Sequence, residues 1–257
     1  MENMDRAAAV ILVAALYPLG RAWLANRRTT LVHALTWAAL AWLAWAGVLL
    51  AEVCGRGEGV VRYGAIVLTG CAGVAVLGAR RRGVGAWNFV VLGLLVVHLL
   101  PLAEGFGRLH LSLPRLLFLA GTLAVGLLNY LPTRLWPAAL LIAAGCGAEL
   151  GSLMTGANGP ALGAGRLALA AAPWAAFVLM RRRAETVPEP DRTWLRFRDS
   201  FGGLWGERVR EQFNRAAANA GSMGRLGWGG LHGAPAAERE PLLATLRALL
   251  TRFGPAE

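Results

Sequence analysis

Arg181-Arg182-Arg183 divides this chain in two: seven hydrophobic segments precede it, and an arginine-rich tail with no comparable segment follows. A chain of 257 residues that is 56% hydrophobic and only 16% charged carries more apolar surface than a soluble domain of its size can hide. Residues 1–183 are therefore expected to form an all-α, polytopic membrane bundle, and residues 184–257 a cytosolic tail.

Working back from the triplet, the hydrophobic segments are Leu162–Met180, Leu135–Met154, Leu116–Leu131, Val84–Ala103, Arg62–Ala79, Leu31–Ala51 and Ala7–Leu24. About 20 helical residues at ~1.5 Å each match a hydrocarbon core of ~30 Å. Three segments depart from the ideal. Pro18 and Arg21 interrupt the first, the fifth has a short apolar core, and Arg166 inside the seventh must snorkel or push the helix start later. The first is read as a retained helix, because Trp23-Leu24-Ala25 lacks the small-x-small pattern of a signal-peptidase site.

The net charge of +11 comes entirely from arginine and gathers at segment ends, which points to a membrane surface and away from nucleic acid. One side of the bundle collects Arg21, Arg27, Arg28, Arg80, Arg81, Arg82, Arg134 and the triplet. The other collects Arg6, Arg56, Arg62, Arg108, Arg115 and Arg166, together with Glu2, Asp5, Glu52, Glu58 and Glu104. A cytoplasmic excess of basic residues sets orientation in an inner, bacterial-type membrane, so the N-terminus is expected outside and the tail inside.

Small residues recur every fourth position at Ala139, Ala143, Gly147 and Gly151, and at Ala65, Thr69 and Gly73. Both stripes are expected to admit a neighbouring backbone. Trp37, Trp42 and Trp45 share a face of the second segment, as an aromatic-walled pocket or as plain packing. Cys54, Cys71 and Cys146 have no metal-type spacing, and the last two read as small packing residues.

Beyond a Pro-containing linker at 184–192, Trp194, Phe197, Phe201, Leu204, Trp205, Val209 and Phe213 recur at spacings of three and four, with Arg196, Arg198 and Arg208 between them. This predicts an amphipathic helix over 193–218, bent at Gly202-Gly203. Trp194, Phe197, Phe201, Trp205, Arg196, Arg198 and Arg208 are its candidate docking residues, toward the lipid bilayer, the end of the bundle, a protein partner or a second copy. A Gly-rich stretch leads to a second short helix over 241–253. The run from Phe197 to Gly206 is patterned but matches no chemical signature.

Ionisable residues inside a span are functional candidates. Here they are few. His98 and Glu149 both fall toward the same end, where Glu104 and His110 could join them as a proton relay or divalent-metal set. His33 belongs to the other end, which argues against one haem held between two histidines, and no cofactor is expected. Asp5, Asp191 and Asp199 lie outside the predicted spans, so paired-aspartate proteolysis has no residues to use. There is no H-E-x-x-H or Walker loop, and Gly151-Ser152-Leu153-Met154 lacks the second glycine of a nucleophile elbow. No catalytic or metal-ligating residue is assigned. The leading expectation is a non-enzymatic scaffold or assembly subunit whose tail docks on membrane or partner. The alternative is a small-solute or ion transporter, or a membrane-embedded enzyme, using His98 and Glu149.

Overall fold

The computed structural model describes residues 2–54, 59–80, 84–104, 109, 111–157, 159–181 and 189–254. The segment 182–188, which holds Arg182, Arg183 and most of the expected linker, lies outside the described residues, as do Arg56, Glu58, Arg81, Arg82, Arg108 and His110.

Seven helices are long and apolar enough to cross a membrane, and they make a multi-pass helical bundle. The first span joins α1 (Glu2–Ala14) to α2 (Leu16–Asn26) through Ala15. Pro18 sits in the first turn of α2, where its missing N–H interrupts little. Then follow α3 (Leu31–Val53), α4 (Gly59–Ala75) with a 3-10 turn at Val76–Gly78, α5 (Val84–Glu104), α6 (Leu113–Tyr130), α7 (Trp136–Thr155) and α8 (Pro160–Arg181). The seventh span is one continuous helix despite Pro173, with no re-entrant break in its described residues.

Helix α4 is central and touches α3, α5, α6 and α7, while α7 pairs with α8, and α1 packs against α8 and α3. Contact between helices in lipid depends on close backbone approach, because hydrocarbon supplies no hydrophobic drive. At the α4–α6 crossing, a Cβ added to Gly73 would stand 2.9 Å from the Gly126 Cα. The Ala65, Thr69, Gly73 stripe does face a neighbour. The other stripe does not: Gly147 and Gly151 are exposed, and α7 instead meets α8 through Gly145, whose added Cβ would lie 2.7 Å from the Gly165 carbonyl oxygen. The cause is angular. Gly145, Glu149 and Ser152 share one face of α7, and that face must turn inward to bury the carboxylate.

Helix α5 is apolar all round and packs chiefly on α4, leaving Phe89, Val90, Val96, Val97 and Leu100 outward as expected of a lipid-facing helix.

The C-terminal segment folds into a cap on one end of the bundle. It contains α9 (Glu189–Asn219), a two-stranded hairpin of β1 (Arg225–Leu226) and β2 (Leu231–His232), a 3-10 turn and α10 (Arg239–Leu250). Phe253 lies at its centre, with Phe197, Phe201 and Trp205 at ring distances of 4.8, 5.1 and 5.2 Å.

Candidate functional site

Five helices deliver charged side chains to one point at the end of the bundle opposite the cap. Asp5 comes from the first turn of α1, Glu52 from the last of α3, Arg62 from the first of α4, Glu149 from late α7 and Arg166 from early α8. Glu149 is the hub and is completely buried. Its Oε2 accepts Arg62 Nε–H at 2.7 Å and its Oε1 accepts Arg166 Nε–H at 2.9 Å. Arg166 then donates from Nη1 to Asp5 at 2.9 Å and from Nη2 to Glu52 at 3.0 Å, and Arg62 donates from Nη2 to the Ser152 hydroxyl at 2.9 Å.

Two expectations are corrected here. Arg166 neither snorkels nor delays its helix; its side chain is 4% exposed and saturated by three carboxylates. Asp5 belongs to the first span and anchors that arginine. The sequence signal was present, since three acids and two arginines cluster at one set of helix ends. What linear order could not supply was which helices are neighbours.

A carboxylate in hydrocarbon is costly unless paired and hydrogen-bonded, and the forked guanidinium satisfies several oxygens at once. The set is therefore a five-helix interlock.

His98 stands apart from it. With 2% exposure, its Nδ1–H donates to the Leu94 carbonyl at 2.8 Å, which leaves Nε2 facing the Thr122 hydroxyl at 3.4 Å while the ring stacks on Phe118. Glu104 pairs with Arg115 near the helix ends. His98, Glu149 and Glu104 thus each bond to different partners, and His110 lies outside the described residues. Among the described residues, no group of three or more His, Cys, Asp or Glu side chains could hold a metal ion. His33 accepts from Asn88 Nδ2, whose Oδ1 faces Trp37 Nε1. Trp45 is buried with its indole N–H on Thr69, and Trp42 is buried beside it, so this stripe serves packing.

The second constellation joins cap to bundle. At Gly202 (φ 84°, ψ −178°) α9 breaks, which frees backbone groups at Ser200, Phe201 and Leu204. The end of α6 supplies their partners. Asn129 donates from Nδ2 to the Phe201 carbonyl at 3.4 Å and accepts the Leu204 N–H at 3.0 Å, and the Tyr130 hydroxyl donates to the Ser200 carbonyl at 3.0 Å. Only glycine fits at the break, for a Cβ on Gly202 would meet the Asn129 amide at 2.0 Å. Trp205 Nε1 donates to the Val76 carbonyl, Trp228 Nε1 to the Pro132 carbonyl, and the Thr30 N–H to the Phe253 carbonyl. Asp199 accepts from both Arg198 and the Arg134 N–H. The patterned run from Phe197 to Gly206 is this junction.

Of the seven candidate docking residues, Trp194, Phe197, Phe201, Trp205 and Arg198 are buried within the chain, and Arg196 and Arg208 are exposed. On the outer side of α9, Glu207 takes two hydrogen bonds from Arg210 and holds that guanidinium above its ordinary range.

Seven apolar helices that close over a buried charge network, with a folded C-terminal cap, define the class: a multi-pass helical membrane protein. No family model matches this chain, and no curated protein or solved structure matches it either.

Proposed function

We propose that the chain is a non-enzymatic scaffold subunit of an inner membrane, with its cap in the cytoplasm and its N-terminus outside. One observation carries this reading. Among the described residues, the polar groups that sequence offered for intramembrane chemistry have partners inside the chain: Glu149 with Arg62 and Arg166, His98 with Leu94 and Thr122, and Glu104 with Arg115. Arg21, Arg27, Arg28, Arg80, Arg134 and Arg181 at the capped end support the orientation.

Within this reading the cap is a rigid platform built on the bundle. Its buried aromatics hold it there, and its outward face, with Arg208, Glu211, Gln212, Arg215 and Met223, is what another subunit would meet. The decisive experiment is native mass spectrometry of the intact protein released in mild detergent from its own membrane, beside a variant carrying Arg215→Glu and Gln212→Glu. A complex of fixed stoichiometry, lost in a variant that melts as the parent does, is the expected result. A chain that runs alone, or that moves a solute across reconstituted vesicles, overturns the proposal.

A further inference from the structure

A groove of about 730 Å³ opens between the cap and the lipid-facing side of α6. Leu77, Val125 and Leu128 line it from the bundle, and Leu204, Glu207 and Trp228 from the cap. Val125 and Leu128 lie in the last two turns of α6, and Leu77 in the turn that ends α4. The groove therefore straddles the level at which helices leave the hydrocarbon. Leu128 is 63% exposed, which makes the groove continuous with the lipid-facing band. Trp228, with its ring beside the groove and its N–H on Pro132, has the placement of an interfacial aromatic.

Exposed arginines lie close in the chain to the lining residues. The Arg208 guanidinium lies 5.2 Å from the Trp205 ring, whose N–H is bonded to the carbonyl next to Leu77. Arg80 follows Leu77 by three residues and Arg134 follows Pro132 by two, and both are exposed. The one acid in the lining, Glu207, is covered by Arg210. An occupant must match an apolar trough whose lining residues are neighboured in the chain by exposed arginines.

We propose that this groove holds one anionic phospholipid, with an acyl chain along Leu77, Val125 and Leu128 and its phosphate beside Arg208 and Arg80, so that the lipid ties the cap to the bilayer. Such a site would select by headgroup charge, at about fivefold per arginine.

The test uses the full chain, purified in mild detergent, with phosphatidylglycerol or phosphatidylcholine added at equal concentration and retention read by native mass spectrometry. One phosphatidylglycerol should persist under activation that strips phosphatidylcholine. Leu128→Trp, a change on a lipid-exposed side chain that fills the trough, should abolish retention with an unchanged melting temperature. Val125→Phe repeats the test should the first variant not fold. Arg208→Gln should keep a lipid but cut the preference about fivefold. Equal retention of both lipids by the parent overturns the proposal, as does undiminished retention in the filled variant. An unchanged preference in Arg208→Gln overturns the headgroup assignment.

Discussion

Glu149 shows what a single carboxylate requires inside a membrane bundle. Both of its oxygens are met by guanidinium nitrogens from different helices, and those arginines reach two further acids. Truncating one member of a buried pair leaves its partners charged and unsolvated, at about 3–5 kcal/mol. Glu149→Ala is expected to lose that much and lower the melting temperature in detergent, whereas Glu149→Gln, which keeps acceptor geometry at one oxygen, should lose less. A parent-like melting temperature in both would mean that the network does not hold the helices together. Asn129 is the counterpart at the other end. Asn129→Leu strands the buried Phe201 carbonyl, at about 1–3 kcal/mol, and removes the partner of the part-buried Leu204 N–H, so cap and bundle should loosen, read as new protease cleavage near Gly202. In sequence Asn129 is a neutral polar residue within a span and Arg62 a segment-end arginine, and each becomes specific only when its partner arrives from a distant helix.

Among the elements, α7 separates pattern from consequence. Its every-fourth small residues drift around the helix, and the face that packs is the one carrying Gly145 and Glu149. Gly145→Val should therefore push α7 from α8 and destabilise the bundle by several kcal/mol, a case of overpacking against backbone. Gly147→Val, two residues away and facing lipid, should change the melting temperature little. Equal effects of the two would contradict the packing described. In α9, the three-and-four periodicity runs through Trp194, Phe197, Phe201, Trp205, Val209 and Phe213, which are buried, and through Leu204, which is exposed. It could not say what supplies the cover, since lipid, partner and own bundle all present apolar surface, and here the cover is Phe253, α10 and the bundle end.

For the molecule as a whole, cap and bundle share so many backbone-directed hydrogen bonds that they should unfold in one transition, followed by tryptophan fluorescence from Trp205 and Trp45 together. Two separated transitions would mean that the cap is an independent domain. Sidedness has a natural reporter. Cys54 is exposed at the end opposite the cap, while Cys71 and Cys146 are buried. A membrane-impermeant maleimide applied to intact cells should label the chain once, at Cys54, and Cys54→Ser should abolish the signal. Labelling only after the inner face is opened would reverse the proposed orientation.

Sequence alone determined that this chain is a bundle of seven apolar helices with an amphipathic segment after Arg181, because segment length, apolar content and periodicity are local properties that bilayer thickness and helix rise read directly. It also marked Glu149, Arg166 and the Gly202-Gly203 bend as places of unusual demand. Tertiary structure decided how each demand is met. Arg166 is neutralised by Glu149, Asp5 and Glu52, the bend is closed by Asn129, and the aromatic stripe is buried on the chain's own bundle. These outcomes depend on which helices are neighbours, and that follows from the summed packing of many glycine and alanine contacts, which no single stretch of sequence contains.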